Sequence, residues 1–247
     1  MCYKKNQQAT AEELEKRYKA TLFHEEYKQF HNLSGFNPTV LPIAEYPKLP
    51  VLTAENQEEF TFMQWGLLPF WTPQDKAKTF AINNLNAKAE TLLEKKSFAP
   101  SVKSKRCIIP VTGFFESREV NKINYPYFIH LKNEKIFSLA GIYDSWKDPE
   151  SGKSILSYSV ITCEANPLMA KIHNKKLRMP VILSATLERS WIAPEISNEE
   201  IAHLLRPLDD SLMEANTIDK KINNTRIDSN HAGITDLVEY PELGMFD

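Results

Sequence analysis

Between residues 60 and 183 the chain carries six short runs of β-branched and aromatic residues: FTFMQW (60–65), CIIPV (107–111), YFIHL (127–131), IFSLAGIY (136–143), ILSYSVIT (155–162) and PVIL (180–183). Turn-like segments separate them, and no helical pattern alternates with them as a βαβ chain requires. The expected fold is therefore α+β: a single domain over residues 1–247, with a mostly antiparallel, barrel-like β core flanked by short helices. Thr10 with Glu13 forms a capping-box pattern, and Leu14, Tyr18 and Leu22 follow at helical spacing, which predicts a helix over 10–31. Pro38, Pro42, Pro47 and Pro50 then impose an extended stretch. Short helices are predicted at 87–95, 166–173 and 186–193, and Ser197 with Glu200 caps another before Pro207.

At 247 residues and 42% apolar content the chain can bury a substantial core. A net charge of −2 excludes a protein that binds nucleic acid through a global excess of cations, so any such binding must use local charge. Two basic clusters exist: Lys95, Lys96, Lys103, Lys105 and Arg106 before one strand, and Lys171, Lys175, Lys176 and Arg178 around His173. Solvated faces are the bland reading of both. The N-terminus lacks an apolar signal region and no window approaches a membrane span, so a cytoplasmic protein without membrane contact is expected. Three cysteines, Cys2, Cys107 and Cys163, lack metal-ligand spacing and give no disulfide framework. No metal or cofactor is expected.

Four segments join catalytic residue types to strand ends or turns: MCYK, NLNAKAET, GFFES and IHNKKLRMPVIL. Glu116 ends an apolar run whose burial would raise its pKa, although a strand-end glutamate in solvent has the same signature. His173 follows a short helix, where a histidine also serves the helix dipole. Asn86 and Lys88 stand at a strand-to-helix transition, where an asparagine is commonly a cap. Thr162 reads equally as a plain strand residue, and Cys107 and Cys163 as small buried hydrophobes. Trp65, Phe70 and Trp71 are core candidates that could instead stack on an unpaired base.

Cys2 has one special property of position. Removal of Met1 would expose an α-amine and a thiol on one residue, with reference pKa values of about 8 and about 8.5. Such a 1,2-aminothiol condenses with an aldehyde: the amine forms an imine, and the tethered thiolate closes a five-membered thiazolidine at high effective molarity. An incidental residue on a frayed terminus is the alternative.

Together Cys2, WGLLPFW (65–71), NAKAET (86–91), RCIIPVTGFFE (106–116), ANPLMAKIH (165–173) and RMPVIL (178–183) make the chain resemble the SOS response-associated peptidase (SRAP) family, whose members crosslink to abasic sites in single-stranded DNA. The resemblance implies that Cys2 is the crosslinking nucleophile in a pocket with Asn86, Glu116 and His173. Glu116 would shuttle protons at the amine and imine, His173 would donate to the sugar oxygen, and Asn86 would hold the sugar or the amine. It further implies DNA contacts from Lys4, Lys88, Thr162 and Arg178, stacking by Trp71, and a monomer whose partner is abasic single-stranded DNA.

The chain departs from the family pattern in five places. Tyr3 stands where a glycine is common, Lys4 and Lys88 where arginines are common, and Ser117 where a tryptophan is common. Lys175 to Leu177 are additional between the histidine and Arg178. A thiol peptidase using Cys2, His173 and Glu116, with removal of Met1 as its self-directed form, is the competing reading, and a noncovalent DNA-binding module is a third.

Overall fold

The computed structural model describes residues 4–34, 43, 46–224 and 227–243. Cys2, Tyr3, Pro38 and Pro42 lie outside the described residues, as do the expectations placed on them.

Two sheets share one hydrophobic cluster. The first orders β13 (Met213–Thr217), β8 (Ile123–Leu131), β7 (Gly113–Val120), β1 (Lys4–Gln7) and β2 (Phe30–Ser34). The second runs β11 (Arg178–Pro180), β10 (Ser154–Glu164), β4 (Thr61–Trp65), β3 (Lys48–Thr53), β6 (Arg106–Val111), β9 (Phe137–Lys147) and β12 (Ile182–Leu183). The long strands β9 and β10 also pair with each other, from Lys147 opposite Ser154 to Gly141 opposite Val160. That pairing closes β10, β4, β3, β6 and β9 into a five-stranded barrel, which removes the sheet edges. Pairing is antiparallel except on β10, which takes β4 and the short β5 (Asn86–Lys88) in parallel.

Short helices flank the sheets: α1 (Ala11–Tyr18), α2 (Ala77–Asn83), α3 (Ala99–Ser104), α4 (Pro167–Ile172), α5 (Ala185–Trp191) and α6 (Asn198–Leu204). Both capping boxes form as the sequence predicts, Thr10 with Glu13 and Ser197 with Glu200. The helix expected over 10–31 is corrected to eight residues, because Lys19 adopts a left-handed conformation (φ 54°) and Thr21 then bridges to Glu59. Residues 87–95 are likewise not one helix: Asn86 to Lys88 pair with Val160 to Thr162, and only Ala89–Thr91 make a single helical turn.

Two glycines fix how the strands approach the site. Gly66 has φ 118° at the exit of β4, and a Cβ there would lie 2.6 Å from the Ala81 carbonyl oxygen. On β7, a Cβ on Gly113 would lie 2.2 Å from the Phe128 ring. Gly113 pairs with Asn6 and Phe114 with Lys5, so the N-terminal strand enters the sheet beside the strand that carries Glu116. Lys5 anchors it: the side chain is buried, donates from Nζ to Tyr158 Oη at 2.7 Å, and sits 3.9 Å from the Trp65 ring centroid.

Arg106 is fully buried and gives its guanidinium hydrogens to backbone carbonyls, among them Trp191 (2.8 Å), Val102 (3.0 Å) and Lys103 (2.5 Å). In the same basic cluster Lys105 pairs with Asp144 at 2.5 Å. The first basic cluster thus contributes a structural pin and an ion pair rather than a uniform solvated face.

Candidate active site

Glu116 leaves the buried half of β7, directly after Phe114 and Phe115. Opposite stands His173, delivered by α4. Asn166 caps that helix by accepting from the Met169 amide at 2.9 Å, Pro167 occupies its first turn, and the His173 amide closes it onto Met169 at 2.7 Å. His173 Nε2 and Glu116 Oε2 are 3.6 Å apart, with side chains 9% and 10% exposed.

The second ring nitrogen sets the tautomer. His173 Nδ1 lies 2.8 Å from the Arg178 carbonyl, which can only accept, so Nδ1 carries the hydrogen and Nε2 presents its lone pair towards Glu116. Burial, in which an ionised carboxylate loses its water, pushes the Glu116 pKa up to about 7 against the opposing pull of Lys4 and Lys176. The same loss of water pushes His173 down to about 4, helped by the positive charges of Lys176 and Arg178. At neutral pH the pair therefore holds a carboxyl poised between its acid and base forms beside an uncharged imidazole acceptor. Such an arrangement suits proton transfer at a reacting carbonyl.

Lys4 shares a cavity with Glu116. Its ammonium donates to the Ile222 carbonyl at 2.7 Å and to Asn223 Oδ1 at 2.9 Å. It also lines, with Phe115, Glu116, Ser117, Pro126, Ile222 and Asn223, a cavity of 170 Å³. Desolvation lowers its pKa to about 8, with Glu116 pulling the other way.

Arg178 links the acid–base pair to the strand group. Its carbonyl holds His173, while its guanidinium makes a two-pronged pair with Glu90 (2.6 and 2.9 Å) and donates to the Thr162 carbonyl at 2.6 Å. Glu90 follows Lys88, which is exposed at the end of β5 beside Thr162. Asn86 is buried at the other end of β5, as a strand residue and not a helix cap. Thr162 is 0% exposed, and its hydroxyl lies 3.4 Å from the Ala87 carbonyl and 3.3 Å from the Arg178 guanidinium. Trp71 stands half-buried on the loop after β4, edge-on to Phe80 with centroids 5.4 Å apart, and Lys96 Nζ lies 4.7 Å from its ring centroid.

Two contributors, Asn174 and Glu90, are not singled out by the sequence. Asn174 clamps the backbone of β7, accepting from the Glu119 amide at 3.1 Å and donating to its carbonyl at 2.8 Å, and Lys175 pairs with the Glu119 carboxylate. The additional residues 175–177 are therefore docked against the strand that carries Glu116, with Leu177 in a left-handed turn (φ 52°). Glu90 lies inside the NAKAET motif but nothing in its spacing marks it as the partner of Arg178. Cys107 and Cys163 are both buried with thiol pKa values pushed up by desolvation, that of Cys163 to about 12, so neither supplies a thiolate near neutrality. Cys2 is the third cysteine of the chain. Among the described residues no group of three His, Cys, Asp or Glu is placed to hold a metal ion, and no helix is long and apolar enough to cross a membrane.

The profile described as "SOS response associated peptidase (SRAP)" matches residues 1–225. The abasic site processing protein YoqW of Bacillus subtilis is 37% identical over 201 residues, covering 76% of this chain and 87% of that protein. The abasic site processing protein HMCES of Gallus gallus is 30% identical over 166 residues, covering 59% of this chain and 48% of that protein. A crystal structure of a protein from Bacteroides thetaiotaomicron superposes with a TM-score of 0.86 at 33% identity, over 96% of this chain and all of that one.

Proposed function

Since the chain belongs to the SOS response-associated peptidase family, we propose that it processes abasic sites in single-stranded DNA by capturing the sugar aldehyde covalently on Cys2, acting as one domain and as a monomer. The observation that carries the reading is the buried Glu116–His173 pair, 3.6 Å apart, whose Glu116 sits on the strand that pairs with the N-terminal strand. Relatives named abasic site processing proteins support the substrate.

An abasic deoxyribose exists mainly as a closed hemiacetal and must open before it can react. The neutral His173 Nε2 takes the proton of the anomeric hydroxyl as the bond to the ring oxygen breaks, and the protonated Glu116 carboxyl supplies a proton to that oxygen. The imidazolium then returns its proton to the carboxylate across the pair. Donation to the ring oxygen, which the resemblance gives to His173, falls here to Glu116, because burial favours the uncharged imidazole; Glu116 keeps its shuttle role at the amine and imine.

With Met1 removed, the Cys2 amine adds to the aldehyde carbon and the Glu116 acid protonates the departing hydroxyl, releasing water and leaving an imine. The Cys2 thiolate attacks the imine carbon and the nitrogen takes a proton, giving a thiazolidine that resists hydrolysis. Arg178 and Lys88 bind phosphates, Trp71 stacks on a neighbouring base, and Asn86 orients the sugar. Backbone contacts of this kind suit a lesion that offers no base to read. Incubating the mature protein with an abasic single-stranded oligonucleotide tests the reading: a denaturation-resistant adduct forms without borohydride and is lost in Cys2→Ala.

The family description favours a second reading, a thiol peptidase with Cys2 as nucleophile and His173 as base, directed at Met1. Intact mass of Glu116→Gln and His173→Ala distinguishes it, since autocatalytic cleavage would leave Met1 on both variants.

A further inference from the structure

We propose that Lys4 is a second amine nucleophile of this site, able to form a reversible imine with the abasic aldehyde independently of Cys2. This inference rests on the abasic-site reading above. Three observations place the Lys4 amine where such chemistry needs it. Its side chain lines the same 170 Å³ cavity as Glu116, a space large enough for part of an open sugar. Its ammonium is aimed by the Ile222 carbonyl (2.7 Å) and Asn223 Oδ1 (2.9 Å), groups that accept hydrogens from nitrogen and leave a lone pair available once one proton is lost. Desolvation, opposed by Glu116, lowers its pKa to about 8, so about a quarter of the side chain is free amine at pH 7.5, against about one part in a thousand for an ordinary lysine.

The step is balanced by the groups present. The neutral Lys4 nitrogen adds to the aldehyde carbon and loses a proton, while the carbonyl oxygen takes one to become a hydroxyl. Protonation of that hydroxyl by the Glu116 carboxyl expels water and leaves a carbon–nitrogen double bond, and water reverses the sequence. The Lys4 imine would hold the aldehyde open and hand it to the Cys2 amine by imine exchange, releasing Lys4 unchanged. An arginine at this position, common in the family pattern, has no equivalent nucleophile because it stays protonated.

The experiment uses the full-length Cys2→Ala chain with an abasic single-stranded oligonucleotide and cyanoborohydride, which reduces an imine to a stable secondary amine, followed by peptide mapping. The expected result is the reduced sugar on Lys4 Nζ, with yield falling about tenfold in Cys2→Ala/Lys4→Arg and in Cys2→Ala/Lys4→Met. Trapping only on the α-amine, no trapping at all, or a yield unchanged by both substitutions overturns the proposal. Mapping on the chain with Lys4 intact decides the matter even if a Lys4 variant folds poorly. The unsubstituted protein without reductant is the control: an adduct there, together with no reductively trapped sugar on Lys4 in Cys2→Ala, defeats this inference alone, whereas no adduct there defeats the abasic-site reading itself.

Discussion

Glu116 and His173 face each other at 3.6 Å from two elements far apart in sequence, and burial moves their pKa values towards and past one another: the carboxyl up to about 7, the imidazole down to about 4. A carboxyl that keeps its proton up to about neutral pH, beside an imidazole that has already lost its own, is the reverse of an ordinary ion pair. The site's chemistry follows from that inversion.

The inversion has a stability signature. Because the folded pKa of Glu116 is raised, its contribution is fully present below the ordinary carboxyl value of 4.5 and is lost as pH rises through about 7. Glu116→Gln, which cannot ionise, gains about 2 to 3 kcal/mol relative to the unsubstituted protein between pH 4 and pH 8. Urea denaturation of both proteins at the two pH values checks this. In the same variant, crosslinking slows roughly 100-fold with DNA binding retained.

For His173 the shift has the opposite sign. The neutral form is favoured by the fold, so its contribution is present above 6.5 and is lost as pH falls through about 4. A nitrogen-detected NMR titration should find the Nδ1–H tautomer persisting to pH 5, set by the Arg178 carbonyl. A midpoint at or above 6.5 would remove the acceptor role assigned to Nε2.

Arg178 is held by Glu90 and Thr162 in the absence of DNA. Exchanging a carboxylate for a phosphate costs the guanidinium little geometry, since both fit its fork. Arg178→Ala is expected to weaken single-stranded DNA binding several-fold and to reduce the magnitude of the log K against log salt slope by about 1. Lys88→Ala should do the same without disturbing His173. Fluorescence anisotropy over a salt series measures both, and an unchanged slope for both excludes these phosphate contacts.

Lys5 predicts a purely structural effect. Lys5→Met removes the hydrogen bond to Tyr158 and the contact with Trp65, leaving a buried tyrosine hydroxyl short of its partner. The cost is about 1 to 3 kcal/mol, read as a lower thermal midpoint.

Much of this architecture was legible in local sequence. The runs CIIPV and ILSYSVIT are strands because their β-branched residues pack on both faces, and Thr10 and Ser197 cap helices through signals that span only four residues. What could not be read depends on distant partners. Lys19 ends α1 in a left-handed conformation without the glycine that usually announces one. Asn86 to Lys88 become a strand because β10, more than seventy residues later, lies beside them. The barrel closes through β9 and β10, a register that no turn signal encodes. At the site, the apolar approach to Glu116 foretold its burial, but the tautomer of His173 depends on an Arg178 carbonyl presented by the additional loop. Arg106 looked like surface charge and is instead fully buried, because the carbonyls that receive it come from α3, α5 and the residues just after α5.

The central claim is a covalent bond between the aldehyde carbon and both the nitrogen and the sulfur of Cys2. Intact-mass spectrometry of the mature protein, before and after incubation with an abasic single-stranded oligonucleotide and without reductant, measures it most directly. The account predicts a species equal to protein plus oligonucleotide less one water, stable to denaturation and missing in Cys2→Ala. An adduct seen only after borohydride reduction, or one undiminished in Cys2→Ala, would contradict it.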